Sequence, residues 1–208
     1  MKIAVIAANG RLGVAFVEAA LQAGHSVRAG VRGAHSLPAD ARLEVVSCDA
    51  TNEDDLRTLL TGQEVVVSAI GHVKGSSADV QTVATQAIVD VMNELGIRRY
   101  VDVTGTGVRF PGDHITLIDR FLNAGVGFVD SARVTDGITH QDVLKSSTLE
   151  WTTIRVLKLQ NVPALPYSLK LHGPTKIVVG REEVATAMLE VIEQNTFIAQ
   201  APILSRLR

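Results

Sequence analysis

The 208-residue sequence has little of what several functional classes require. Its single cysteine, Cys48, excludes an intrachain disulfide and a metal site built from several cysteines. Lysine and arginine (20) nearly balance aspartate and glutamate (22), which argues against nucleic acid or an anionic membrane as the main partner. No apolar run approaches the roughly 20 residues of a membrane span, and the run at 3–8 is too short for a secretory signal core. We therefore expect a cytoplasmic protein that acts on a small molecule.

The composition is that of a folded chain. Hydrophobic residues make up 46 % and charged residues 20 % of the sequence, which is typical of globular proteins. At this length a chain buries roughly 70 % of its unfolded surface, so one domain over 1–208 is expected. The six histidines show no HExxH or paired spacing, so we expect no metal site.

Strand and helix patterns alternate along the chain. Residues 2–7 are apolar and rich in β-branched side chains, as in a strand buried on both faces. A helical repeat of apolar residues follows from Leu12 to Ala23, Gly24 ends it, and 26–32 form a second strand. A strand, a helix and a strand within about thirty residues form a βαβ unit, whose strands are parallel.

The same alternation continues beyond this unit. We expect further strands at 43–48, 64–70, 100–104 and 151–156, and helices beginning near 51, at 80–95, near 115–122, before 146 and at 182–193. The pattern predicts an α/β fold: a single-domain, doubly wound parallel sheet (Rossmann fold) with helices on both faces. Residues from about 105 to 180 would supply the loops on the substrate side.

The first turn between strand and helix is a candidate phosphate site. Gly10 would let the backbone approach a pyrophosphate, and the N-terminus of the following helix offers free N–H groups and a positive dipole end. Gly13, three residues on, would allow close packing of helix and strand. The alternative is that both are ordinary turn and packing glycines.

These residues resemble the atypical short-chain dehydrogenase/reductases, in particular the small NAD(P)H-binding group with biliverdin/flavin reductases and NmrA-like proteins. The family turn reads G-x-x-G-x-x-G, and Gly10 and Gly13 match its last two glycines. Ala7 stands where the family has its first glycine, and an alanine is strained there if the position needs a positive φ. Further matches are Val31-Arg32, Cys48-Asp49, Ala69-Ile70-Gly71, residues 149–155 (with Val156 in place of a proline) and residues 180–185.

The resemblance implies a dinucleotide cofactor and a set of residues to bind it. This set comprises Ala8, Asn9, Gly10, Arg11, Leu12, Gly13, Arg32, Asp49, Ala50, Ala69, Ile70, Gly71 and Thr104. Asp49 would lie near the adenine, with helix capping as its alternative role. Arg32 ends the second strand without an acidic neighbour, and a guanidinium suits a 2′-phosphate, so we expect NADP(H) rather than NAD(H). Alternatively, Arg32 is a solvated strand-end charge.

The proton relay common in the superfamily, Tyr-x-x-x-Lys, is absent. Residues 130–142, where it should lie, contain neither tyrosine nor lysine. Thr104 matches the family's Ser/Thr position at the end of strand five and could bind substrate or nicotinamide, although the backbone could equally satisfy its hydroxyl. His114 and His140 are candidate proton donors, or else surface or capping residues. Arg109, Phe110, Asn161 and Tyr167 are candidates for contact with substrate, or else parts of ordinary surface loops.

Three functions stay open at this point. The first is hydride transfer from NADPH to a small conjugated acceptor such as a flavin, quinone or tetrapyrrole, in a monomer or homodimer. The second is a non-catalytic NADP(H)-binding redox sensor of the NmrA-like type. The third is an epimerase-like enzyme acting on sugar nucleotides.

Overall fold

The computed structural model describes residues 1–113, 131–173 and 178–206. In the described part, helices and strands alternate as the sequence predicts. The helices are α1 (Arg11–Gln22), α2 (Glu53–Leu60), α3 (Val80–Leu95), α4 (Ser131–Ser146) and α5 (Arg181–Glu193). The strands are β1 (Lys2–Ile6), β2 (Ser26–Val31), β3 (Leu43–Ser47), β4 (Val65–Ser68), β5 (Arg99–Gly105), β6 (Glu150–Val156), β7 (Leu159–Gln160), β8 (Tyr167–Lys170), β9 (Val179–Gly180) and β10 (Ile203–Arg206).

Eight of these strands form one mainly parallel sheet in the order β3-β2-β1-β4-β5-β6-β10-β8. Only the β10–β8 pairing is antiparallel among the described strands of this sheet. Strand order reverses between β1 and β4, which are paired with Ile3 beside Val65. Ligands of such sheets bind beyond the carboxyl ends of the strands at this reversal. The predicted doubly wound fold is confirmed.

Helices cover both faces of the sheet, and this explains the continuous apolar runs of the central strands. In β1, Ile3 and Val5 pack with α1 and α5 on one face, whereas Ala4 and Ile6 pack with α2 and α3 on the other. Because alternate side chains enter opposite layers, every position of such a strand must be apolar.

Four short strands lie outside the predicted set. β7 and β9 pair in parallel as a separate two-stranded sheet, and β8 and β10 extend the main sheet beyond β6. The predicted strand at 64–70 ends earlier, at Ser68, so Ala69 to Gly71 are free to line a cleft. The predicted helix near 115–122 and the candidate His114 lie outside the described residues.

Within the described residues, none of the helices is long and apolar enough to cross a membrane. In the same ranges, no group of three or more histidine, cysteine, aspartate or glutamate side chains could hold a metal ion.

Candidate functional site

The turn after β1 leaves the first amides of α1 without a side-chain cap. Ala7 has φ +57°, in the left-handed region, and its carbonyl accepts a hydrogen bond from Gly10 N–H at 3.0 Å. The helix then begins at Arg11, and its N-cap, Gly10, makes no side-chain capping hydrogen bond. Unsatisfied N–H groups at a helix N-terminus form a binding site for a phosphate.

Gly13 lets α1 pack against the turn at a distance that no other residue permits. A Cβ at Gly13 would overlap the carbonyl oxygen of Ala7 and lie 2.8 Å from the Cα of Ala8. Ala8 is fully buried and its N–H donates to the carbonyl of Gly30 at 3.0 Å. Ala8 and Gly13 therefore fix the backbone of the turn from its buried side.

An outer cavity of about 520 Å³ opens beside this turn. Its walls are the turn itself, the carboxyl ends of β2 and β3, the segment after β4 and the start of α3. The predicted cofactor residues that line it are Asn9, Gly10, Arg32, Asp49, Ala50, Ala69, Ile70 and Gly71.

An inner cavity of about 350 Å³ adjoins the outer one, and both are lined by Ala69, Ile70 and Gly71. Leu12 and Thr104 are the other predicted residues in its wall. The segment after β5, part of α4 and the segment after β6 complete it. The two cavities together form one cleft across the carboxyl ends of the central strands. Arg11 lines neither of them but a separate depression that it shares with Arg181.

A cleft of this kind at the strand-order reversal is typical of dinucleotide-binding proteins. The sequence profile of a family described as NAD(P)H-binding matches residues 7–195, which is most of the chain. The chain belongs to this NAD(P)H-binding family. Its cofactor class follows from that membership.

Solved structures of similar fold come from several bacteria. A short-chain dehydrogenase/reductase from Veillonella parvula in complex with NADP is 19 % identical, with 99 % of this chain and 94 % of that one covered and a TM-score of 0.81. A candidate NADH-flavin reductase from Streptococcus pneumoniae is 22 % identical over 100 % of both chains, with a TM-score of 0.79. A candidate epimerase from Bacteroides thetaiotaomicron is 21 % identical, with 100 % and 97 % covered and a TM-score of 0.84. At these identities the likeness establishes the fold.

Arg32 and Asp49 face each other at the outer end of the cleft. Their closest side-chain atoms, Nη1 and Oδ2, are 3.6 Å apart, and 63 % of the Arg32 side chain is exposed. Asp49 also accepts hydrogen bonds from the N–H and hydroxyl of Thr51, which lower its pKa together with the nearby charge of Arg32. The guanidinium of Arg32 therefore keeps donors available at the surface.

Thr104 and His140, the predicted catalytic residues, lie in different environments. Thr104 lines the inner cavity. His140 is 1 % exposed, lines neither cavity, and its Nε2 lies 3.2 Å from Oδ2 of the buried Asp102. Burial lowers the pKa of His140, but the hydrogen bond and charge of Asp102 and the charge of Asp136 outweigh burial and raise it overall. This buried position, away from both cavities, favours a structural role for His140.

Neither tyrosine of the chain is placed to act as a base in the cleft. Tyr100 is buried, and burial and the charge of Asp102 raise its pKa well above the ordinary value. Tyr167 donates a hydrogen bond to Glu190 at 2.8 Å, and burial and Glu190 raise its pKa as well. Both phenols therefore stay protonated at neutral pH, and neither lines the two cavities.

The four predicted substrate-contact residues, Arg109, Phe110, Asn161 and Tyr167, line neither cavity. The ring of Phe110 packs between Lys145 and the buried guanidinium of Arg155, which lie 4.8 and 4.7 Å from its centroid. Asn161 accepts a hydrogen bond from Arg181 at 2.6 Å. The alternative prediction, parts of ordinary surface loops, fits Arg109, Phe110 and Asn161 better, whereas Tyr167 lies in β8.

Four polar residues of the inner cavity, His72, Gln81, Thr106 and Arg133, were not singled out by the sequence analysis. His72 follows directly on the predicted run Ala69 to Gly71, and its Nε2 lies 2.9 Å from Oδ2 of Asp136 on α4. Thr106 is 2 % exposed, and its hydroxyl has no hydrogen-bond partner among the described residues. Only the position of His72 beside the family run could have drawn attention to it.

Proposed function

We propose that this protein is an NADPH-dependent reductase that acts on a small conjugated acceptor of the flavin, quinone or tetrapyrrole class. The observation that carries the proposal is the cleft of two adjoining cavities, one beside an uncapped helix N-terminus and the other beyond the ends of β4, β5 and β6. The first has the features of a dinucleotide site, and the second leaves room for an acceptor.

The residues of the turn fit a dinucleotide. A side chain at Gly13 is excluded by the backbone, and Gly10 leaves the N-terminus of α1 open to a pyrophosphate. Asp49 and Ala50 would lie on the adenosine side, and Leu12 and Thr104 on the nicotinamide side. When bound, NADPH supplies a hydride to the acceptor.

Arg32 supports a preference for NADPH over NADH. Its exposed guanidinium can form two parallel hydrogen bonds with a 2′-phosphate, whereas a ribose 2′-hydroxyl offers no charge to pair with. Binding of the phosphate would replace the long 3.6 Å contact between Arg32 and Asp49 with shorter charge-assisted hydrogen bonds.

The inner cavity supports a flat, largely apolar acceptor. Its apolar wall residues are Leu12, Ala69, Ile70, Val103, Val108, Val134, Val156, Leu157 and Leu159. Such walls orient a conjugated ring, while a few polar groups define its position. An acceptor that is already electrophilic needs orientation beside the nicotinamide and a source of a proton, and not a tyrosinate.

The cofactor preference is tested by titrating the protein with NADPH and NADH and following nucleotide fluorescence. The Arg32→Glu variant should bind NADPH about 10- to 100-fold more weakly, because one charge-assisted pair is lost, with little change for NADH. Arg98→Glu is the matched control, since the side chain of Arg98 is also 63 % exposed and pairs with one carboxylate, that of Glu150. Equal NADPH-to-NADH selectivity in the Arg32→Glu variant and the wild type would refute the assignment.

The reaction is tested by following NADPH absorbance with a panel of flavins, quinones and a tetrapyrrole. We expect turnover with at least one of these acceptors. Tight NADPH binding without turnover on any of them would instead indicate the non-catalytic redox sensor. An epimerase would retain the nucleotide and convert a sugar nucleotide without net NADPH loss, a reaction for which the chain lacks a tyrosinate.

A further inference from the structure

We propose that His72, held by Asp136, is the proton donor of the inner cavity. The inference rests on the proposed reductase function and adds to it the residue that protonates the acceptor. His72 lines the inner cavity together with Thr104 and Thr106. Its side chain is 10 % exposed, so most of the ring is fixed by the protein and one part faces the cavity.

Asp136 is held as a carboxylate by four hydrogen-bond donors. It accepts hydrogen bonds from the N–H groups of Gln81 and Thr82, both at 2.9 Å, from the Thr82 hydroxyl, and from His72. Burial raises the pKa of Asp136, but these hydrogen bonds and the nearby His72 outweigh burial and lower it. The N-cap of α3, Asp79, makes no side-chain capping hydrogen bond, so Asp136 from α4 caps that helix in its place.

An ionised carboxylate can only accept a hydrogen bond, so Nε2 of His72 must carry a hydrogen. The other ring nitrogen, Nδ1, makes no hydrogen bond within the described parts of the chain. It is therefore the atom left to exchange a proton with a molecule in the inner cavity.

Three further groups near His72 bear on this assignment. Arg133, on α4, lines the same cavity, and its positive charge opposes protonation of a nearby imidazole. His140 lies one helical turn after Asp136, but its Nε2 is directed to Asp102. The buried hydroxyl of Thr106 has no partner within the described residues, so it is available to a ligand oxygen. His72 combines a place in the cavity wall with a fixed carboxylate partner, Asp136.

The proton balance of quinone reduction shows what His72 would do. The acceptor receives a hydride, that is two electrons and one proton, and becomes a hydroquinone monoanion. The Nδ1–H bond of imidazolium His72 breaks, and its proton forms the O–H bond of the hydroquinone. Neutral His72 then regains a proton from water, so that NADPH, one proton and the quinone give NADP⁺ and the hydroquinone.

The kinetic test compares His72→Ala with the wild type on a quinone that the wild type reduces. We expect kcat to fall about 10²- to 10⁴-fold, as for the loss of a general acid, while the NADPH affinity changes little. Added imidazole should restore part of the rate, which a merely structural role would not allow. His25→Ala is the matched control, because His25 is 11 % exposed and lies 2.9 Å from the carboxylate of Glu193, but precedes β2 at the opposite edge of the sheet.

A second test needs neither cofactor nor activity. In protein labelled with ¹⁵N-histidine, with His72→Gln identifying the signal, the neutral ring of His72 should carry its hydrogen on Nε2. Asp136→Asn should weaken this preference. A ring with its hydrogen on Nδ1 would contradict the arrangement.

The outcomes separate the two proposals. If the wild type reduces a quinone and His72→Ala does so equally fast, or if imidazole restores nothing, the proton donor is refuted and the reductase function stands. If the wild type binds NADPH but reduces no acceptor, the reductase function is refuted, and the proton donor with it.

Discussion

Ala7 offers a direct test of the strain in the turn after β1. Its φ of +57° is a conformation that costs an L-residue roughly 1–2 kcal/mol, and glycine adopts it freely. Replacing alanine with glycine also makes the unfolded chain more flexible, which lowers stability by about 0.4–1 kcal/mol. The first effect is the larger one. Ala7→Gly should therefore stabilise the protein by about 0.5–1 kcal/mol, although it removes a methyl group.

The neighbouring Ala8 provides the matched control. It is fully buried and has no positive φ, so Ala8→Gly loses a buried methyl group and gains only unfolded-state flexibility. These two effects act in the same direction and should destabilise the protein by about 1.5 kcal/mol.

The assay is thermal unfolding followed by circular dichroism, with urea unfolding as a check on two-state behaviour. For a chain of about this size, 1 kcal/mol shifts the melting temperature by roughly 2–4 °C. We expect Ala7→Gly to melt above and Ala8→Gly below the wild type. If both variants melt below it to a similar extent, the turn is not strained at Ala7, and the reasoning from its φ is wrong.

Three further predictions concern packing and pH. The Gly13→Ala variant should be about 1–3 kcal/mol less stable in urea unfolding, because its Cβ meets backbone atoms. The Gly71→Ala variant should keep its stability, because no atom lies within 4 Å of a Cβ at that position. Burial raises the pKa of Glu183, but the hydrogen bond from Arg206 and two backbone N–H groups lower it overall. The stability it contributes is present above about pH 4.3 and lost as the pH falls through the folded pKa, so the melting temperature of Glu183→Gln should fall less between pH 5 and pH 3. His140 has a raised pKa, so its contribution is present below about pH 6.5 and lost as the pH rises through the folded pKa. The melting temperature of His140→Gln should therefore depend less on pH above neutrality, as scanning calorimetry would show.

The central elements of the fold could be predicted because each has a local signal. The continuous apolar run of β1 identifies a strand buried on both faces, and Gly96, with φ +69°, ends α3 where the apolar stripe stops. The short strands gave no such signal. β8 and β10 have four residues each, too few for an alternating pattern to stand out, and their pairing joins segments more than thirty residues apart.

The turn that lines the outer cavity could be predicted in the same way, and the His72–Asp136 pair of the inner cavity could not. Gly10 and Gly13 are recognisable because a turn of fixed length must follow a strand and open a helix. The contact between His72 and Asp136 joins residues 64 positions apart, and neither has a neighbour in sequence that suggests the pair. Such a pair depends on how α4 packs against α3, which the helical patterns of the two segments do not specify.

The side chains of α4 limit which reactions the cleft can support. This helix carries Asp136 and His140 and contains no tyrosine whose anion could remove a proton from an alcohol. Tyr100 and Tyr167 are kept as neutral phenols by burial and by neighbouring carboxylates. A cleft without a tyrosinate is poorly suited to oxidising an alcohol, because the hydroxyl proton must leave as the hydride does. Reduction of an acceptor that is already electrophilic needs the opposite, a proton donor, and a histidine paired with an ionised carboxylate is suited to that task. The side chains that α4 carries therefore favour the reductive direction that we propose.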